Sequence, residues 1–195
     1  MEKTLESRLR NLGYQKYSED DNGFRLSFPD TDFYLATLSY NERGMRNDSP
    51  HFFLGNQSFE KMYMELNEST RLGTPKLVSC PIRSFMKISR RRLDRMIDRY
   101  SIETMADIYM DIYLNKLFPY YLRLSDTESA LDLYIKGGDK ISAIDPDFRF
   151  RAIPILYLLM GQKEAGIEFI DSYTHNDPFV KGLFQPFIDN YKKTP

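Results

Sequence analysis

GFRLSFPDTDFYLATLSY, residues 23–40, decides how the chain begins. Phe24, Leu26 and Phe28 alternate with Arg25 and Ser27. After the turn-forming PDTD, Phe33, Leu35, Thr37 and Ser39 alternate with Tyr34, Ala36, Leu38 and Tyr40. Strand side chains point to opposite faces with a period of two, so this pattern predicts two antiparallel strands joined by a tight turn. Upstream, Leu5, Leu9 and Leu12 repeat at helical spacing, and Gly13 is a natural stop. YQKY (14–17) opens a strand, and SEDDNG (18–23) turns at Asn22-Gly23.

Downstream of the meander, residues 41–50 read as a polar loop and HFFL (51–54) as a further strand. SFEKMYMELN (58–67) puts Phe59, Met62, Tyr63 and Leu66 on one helical face, with Ser58 as its cap. Residues 68–76 form a loop. LVSC (77–80) is a short apolar piece interrupted by Pro81.

Beyond this point the periodicity is helical. Ile82, Phe85, Met86, Leu93, Met96, Ile97 and Tyr100 trace one face. Ser101 caps the next helix, which Pro119 should bend or end. Ser125 and Glu128 form a capping box for a helix that stops at Gly137-Gly138. Asp145-Pro146 starts an apolar helix running to Gly161, with Pro154 inside it, and two more helices follow over very short joints. LYLLMGQKEAGIEFIDSY (156–173) resembles one tetratricopeptide-type hairpin, but no second copy occurs, so it reads as a local helical hairpin. The expected class is α+β: a small N-terminal antiparallel sheet with helices, followed by a C-terminal all-helical bundle or helical-hairpin array. Residues 1–80 would form the α+β lobe and 81–195 a helical lobe packed on it, within the size range of one compact domain.

Net charge is −1, but its placement is uneven. Residues 1–70 carry 8 basic and 12 acidic side chains, 71–99 carry 9 and 2, and 100–195 carry 10 and 14. The basic centre is concentrated in ISRRRLDRMIDR (88–99). Arg91, Arg95 and Arg99 line one helical face, with Asp94 and Asp98 beside them. Glu103, Asp107 and Asp111 repeat at the same spacing in the next helix. The simplest expectation is internal or solvated salt bridging, with a tight turn near Ser101 folding the acidic stripe back beside the arginine stripe. The alternatives are an anionic partner, protein surfaces included, or nucleic acid held by segment 83–99. Asp94 and Asp98 weigh against the last, because carboxylates repel a phosphate backbone.

Residues suited to covalent chemistry are few. His51 and His175 are the only histidines, and no HExxH or cysteine pair occurs, so the expectation is no metal, no cofactor and no catalytic group. Cys80 stands alone, which rules out an intrachain disulfide and suits a reducing cytoplasm. KGGDK (136–140) follows a helix, whereas a phosphate loop precedes one. Asp30 and Asp32 are the best local carboxylate pair for a hydrolase, and turn chemistry explains them equally well. Asp145 and Asp147 read as helix caps. The longest apolar run, IPILYLLM, is too short for a bilayer, and the charged N-terminus lacks a leader's apolar run.

With 14 Tyr and 14 Phe but no Trp, the chain is rich in side chains suited to contact surfaces. The reading is a non-catalytic cytoplasmic protein-binding module, such as an immunity-type inhibitor that masks a toxin. Tyr34, Tyr40, Arg43, Arg46, Arg91, Arg95 and Arg99 are its candidate partner-binding residues. The alternatives are a nucleic-acid binder using 83–99, a carboxylate-dependent hydrolase, and an oligomer sealed by the aromatic last helix.

Overall fold

The computed structural model describes residues 2–16, 23–38, 51–67, 76–86, 88–136, 146–175 and 178–195. The chain opens with α1 (Glu2–Asn11), then β1 (Gln15–Lys16), β2 (Gly23–Ser27), β3 (Phe33–Leu38) and β4 (His51–Asn56). Helix α2 (Gln57–Asn67) and strand β5 (Val78–Pro81) follow. The rest is helical: α3 (Arg83–Met86), α4 (Arg90–Arg99), α5 (Ile102–Ile112), a π-helical stretch (Tyr113–Leu117), α6 (Phe118–Arg123), α7 (Thr127–Lys136), α8 (Pro146–Leu159), α9 (Lys163–Thr174) and α10 (Pro178–Lys193). This is the expected α+β class, an N-terminal antiparallel sheet followed by a C-terminal array of helices. Contacts gather the chain into two compact units, each made of two stretches: Met1–Leu54 with Val78–Ser125, and Gly55–Leu77 with Asp126–Pro195.

In the first unit, strand order follows chain order, β1-β2-β3-β4-β5. The register bears out the alternation read from the sequence. Phe24 lies opposite Thr37 and Leu26 opposite Leu35, while Arg25 lies opposite Ala36. Gly13 ends α1 at φ +89°, a left-handed turn that residues with a Cβ rarely adopt, and sends the chain into β1. LVSC acquires its structure by pairing: Val78 lies opposite Leu54 and Cys80 opposite Phe52. The helices of this unit are fixed by aromatic packing. Phe52 stacks on Tyr113 with ring centroids 4.2 Å apart, and the Tyr121 hydroxyl donates to the Phe52 carbonyl at 2.6 Å.

Pro119 does not end the helix it interrupts. The π-helical stretch immediately before it widens the turn, with the Phe118 N–H reaching back to the Tyr113 carbonyl, and the helix continues as α6. Two helix starts also differ from expectation. Asn56, not Ser58, caps α2 by accepting from the Phe59 N–H at 2.8 Å. Asp126, not Ser125, caps α7 by accepting from Ser129 at 2.8 Å. In both cases a carboxamide or carboxylate one or two residues earlier or later reaches the free N–H groups of the first turn.

The second unit is built on α8, which contains Pro154 without ending there. The α8–α9 hairpin closes through Gly166, whose missing Cβ leaves room for the Tyr191 hydroxyl of α10; an added Cβ would stand 1.8 Å from that oxygen. Tyr191 donates to the Pro154 carbonyl at 3.1 Å. Phe150, fully buried, packs on Phe184 at 4.3 Å between centroids. Phe148 meets Tyr63 of α2 at 5.3 Å, and Asn190 donates to the Leu66 carbonyl at 3.1 Å. Among the described residues, no helix is long and apolar enough to cross a membrane.

Candidate functional site

Helix α4 begins at Ser89, whose side chain accepts from the Arg92 N–H at 3.3 Å. Leu93 is its buried anchor, and Met96 and Ile97 are half-buried beside it. The opposite side is polar. Arg91, Arg95 and Arg99 are all exposed at spacings of four, and Arg95 Nε donates back to the Arg91 carbonyl at 3.3 Å. The helix ends where the sequence placed its end. Tyr100 is extended, and Ser101 caps α5 by accepting from the Thr104 N–H at 3.2 Å.

The acidic stripe of α5 nonetheless goes elsewhere. Asp107 pairs with Arg8 of α1 at 2.6 Å, and Asp111 accepts from Asn115 at 2.7 Å. Hydrogen bonding from its own backbone N–H, and then from Ser101, holds the Glu103 carboxyl below the usual range. Among the described residues, no carboxylate forms an ion pair with Arg91, Arg95 or Arg99. The expected closure of the arginine ladder on the chain's own acids is therefore not what the described residues show. The reason is rotational. Met105, Ala106 and Tyr109 commit the inner face of α5 to the core, which turns Glu103, Asp107 and Asp111 outward. Leu93 likewise turns the arginines outward, so each stripe lies on the exposed face of its own helix.

The other candidate residues are placed as follows. Tyr34 is 1% exposed, with the Arg25 guanidinium lying 3.7 Å over its ring, so it lies under a cation and offers little surface of its own. Tyr40, Arg43 and Arg46 lie outside the described residues. Asp30 and Asp32 are exposed in the β2–β3 turn, and Asp30 takes φ +56°, a left-handed conformation that Asp tolerates in turns. His51 is in β4, opposite Pro81 of β5. His175 is exposed at the end of α9, where it lines a cavity of about 570 Å³ with Asp171, Thr174 and Lys181. Asp147 is exposed in the first turn of α8. Asp145 and the glycines of KGGDK lie outside the described residues. Among those residues, no group of three or more His, Cys, Asp and Glu is placed to hold a metal ion.

No family model matches the chain, and no curated protein or solved structure does. The site is thus read from its own residues.

Two features of the first unit escaped the sequence. Arg25 lies over the Tyr34 ring and donates through Nε to Ser27 at 3.2 Å, beside a cavity of about 320 Å³ also lined by Gly13, Gln15, Lys16 and Leu26. The β1–β2 register that brings Gln15 opposite Arg25 is the only signal for it. Tyr14 and Tyr113 bring their hydroxyls together inside the same unit, 99 residues apart in sequence. Burial pushes both phenols well above the ordinary tyrosine range.

Proposed function

We propose that the chain is a protein-binding module whose docking face is the outer side of α4. One observation carries this reading: Arg91, Arg95 and Arg99 stand exposed in a row, and among the described residues no carboxylate pairs with them. A guanidinium presents donors in a planar fork that matches a carboxylate, and a row of three gives both orientation and fast, charge-steered encounter. Tyr100, 49% exposed at the end of the row, adds an aromatic contact of the kind enriched at interfaces. The module works by occupying a partner, as an immunity-type inhibitor occupies a toxin, in a cytoplasmic setting. Nucleic acid is the second reading, favoured by the same exposed arginines. Asp94, exposed on the same helix, and Asp98 disfavour it.

The test is capture from the cells that make the protein, comparing the natural chain with Arg91→Ala/Arg95→Ala/Arg99→Ala. A stoichiometric protein retained by the first and lost by the second is the expected result. Retention of nucleic acid that disappears on nuclease treatment, with no protein, would overturn the reading.

A further inference from the structure

The arginine and acidic stripes that fail to meet within one chain form a charge palindrome. Arg99 and Glu103 lie two residues either side of Ser101, Arg95 and Asp107 six, and Arg91 and Asp111 ten. Each step along either stripe is four residues, just over one helical turn, a rise of about 6 Å. Both stripes are exposed and lie opposite the buried residues of their helices. The Tyr100–Ser101 joint lies at the centre of the palindrome, with Tyr100 half-exposed.

From this symmetry we infer that the docking face of α4 takes a second copy of this chain, through the acidic face of that copy's α5. The inference rests on the docking reading above and names its partner. A two-fold axis through the joint lays α4 of one copy over α5 of the other, and α5 over α4. Arg99 then faces Glu103 of the second copy, Arg95 faces Asp107, and Arg91 faces Asp111, each pairing occurring twice. Isologous contact of this kind requires a self-complementary patch, and a palindrome of opposite charges supplies one. The existing partners of the acids leave room for it. Asp107 keeps 70% of its side chain exposed while paired with Arg8, and Asp111 accepts from Asn115 through one oxygen. The two tyrosines at position 100 come together near the axis, where aromatic anchors contribute most to an interface. An interface so rich in exposed charge is steeply dependent on salt.

The experiment is sedimentation velocity on the full chain and two charge-reversed variants, Arg91→Glu/Arg99→Glu and Glu103→Lys/Asp111→Lys. These leave the Arg8–Asp107 pair intact. At low ionic strength, where the Debye length is about 30 Å, the natural chain should dimerise with rising concentration, and 1 M salt, where it is about 3 Å, should return it to monomer. Each variant alone places like charges face to face and should associate about tenfold more weakly or worse. An equimolar mixture of the two should regain the dimer, because every facing pair is then again opposite in sign. A natural chain that stays monomeric at low salt overturns the inference; so does a dimer that persists in either variant, or a mixture that does not associate. Far-ultraviolet circular dichroism checks that each variant is folded, and the separate single variants Arg99→Glu and Glu103→Lys, at the pair nearest the axis, serve in place of any that is not. A monomer that still captures a protein through Arg91, Arg95 and Arg99 ends the second-copy assignment and leaves the docking reading standing. Loss of both ends both.

Discussion

Gly166 and Tyr191 show how one missing side chain holds the second unit together. The Tyr191 hydroxyl occupies the place of a Gly166 Cβ and donates to Pro154. Gly166→Ala should therefore destabilise the chain by about 1–3 kcal/mol, as overpacking of a close contact does. Tyr191→Phe should cost about 0.5–1.5 kcal/mol for the lost hydrogen bond. Combined, the two should cost less than their sum, because the phenyl ring no longer places an oxygen against the new methyl. Urea unfolding of the three variants measures this. In the first unit the Tyr14–Tyr113 pair makes stability depend on alkaline pH. Burial raises both folded pKa values above the unfolded value of about 10, so their contribution is complete below pH 10 and is lost as pH rises beyond it. Tyr14→Phe removes one such proton and should flatten the fall in stability above pH 10 by about 1.4 kcal/mol per pH unit. Stability measured against pH for both chains checks it.

Helix α4 is built against its own dipole. Its first turn holds no acid, and the sequence there is Arg90-Arg91-Arg92, beside the positive N-terminal end. Arg91→Glu should thus raise folding stability, by about 0.3–1 kcal/mol, while weakening partner capture. Chemical denaturation reads the first effect and the capture experiment the second; a loss of stability would mean that Arg91 serves the fold itself. The strands and their faces were legible in residues 23–38, because a period of two depends only on local geometry. The break between α4 and α5 was legible for the same reason, since Ser101 is a strong cap. The outward rotation of the two stripes was not. It is set by which side of each helix the core takes up, here the side of Met105, Tyr109 and Leu93, all buried, and helical period alone does not fix that side. The buried Tyr14–Tyr113 contact was hidden likewise, although both tyrosines are plain in the sequence. The helix caps were displaced by a residue or two because Asn56 and Asp126 compete with the nearby serines for the same N–H groups.

Across the whole molecule, charge is segregated rather than large. A net charge of −1 gives nucleic acid no long-range attraction, yet the basic segment 71–99 lies between two acidic ones. Such a distribution favours partners that carry both signs in a fixed pattern, as protein surfaces do, over a uniformly anionic polymer. The class of fold was readable from composition and periodicity, whereas the candidate site emerged only from where the described acids of α5 find their partners. The most direct measurement is arginine footprinting with phenylglyoxal in a concentrated, nuclease-treated extract of the source cells, read by mass spectrometry at Arg91, Arg95 and Arg99. Protection of all three in the extract, and full reactivity in dilute purified protein at high salt, is the expected result. Full reactivity in the treated extract, or protection that vanishes with the nuclease, would contradict it.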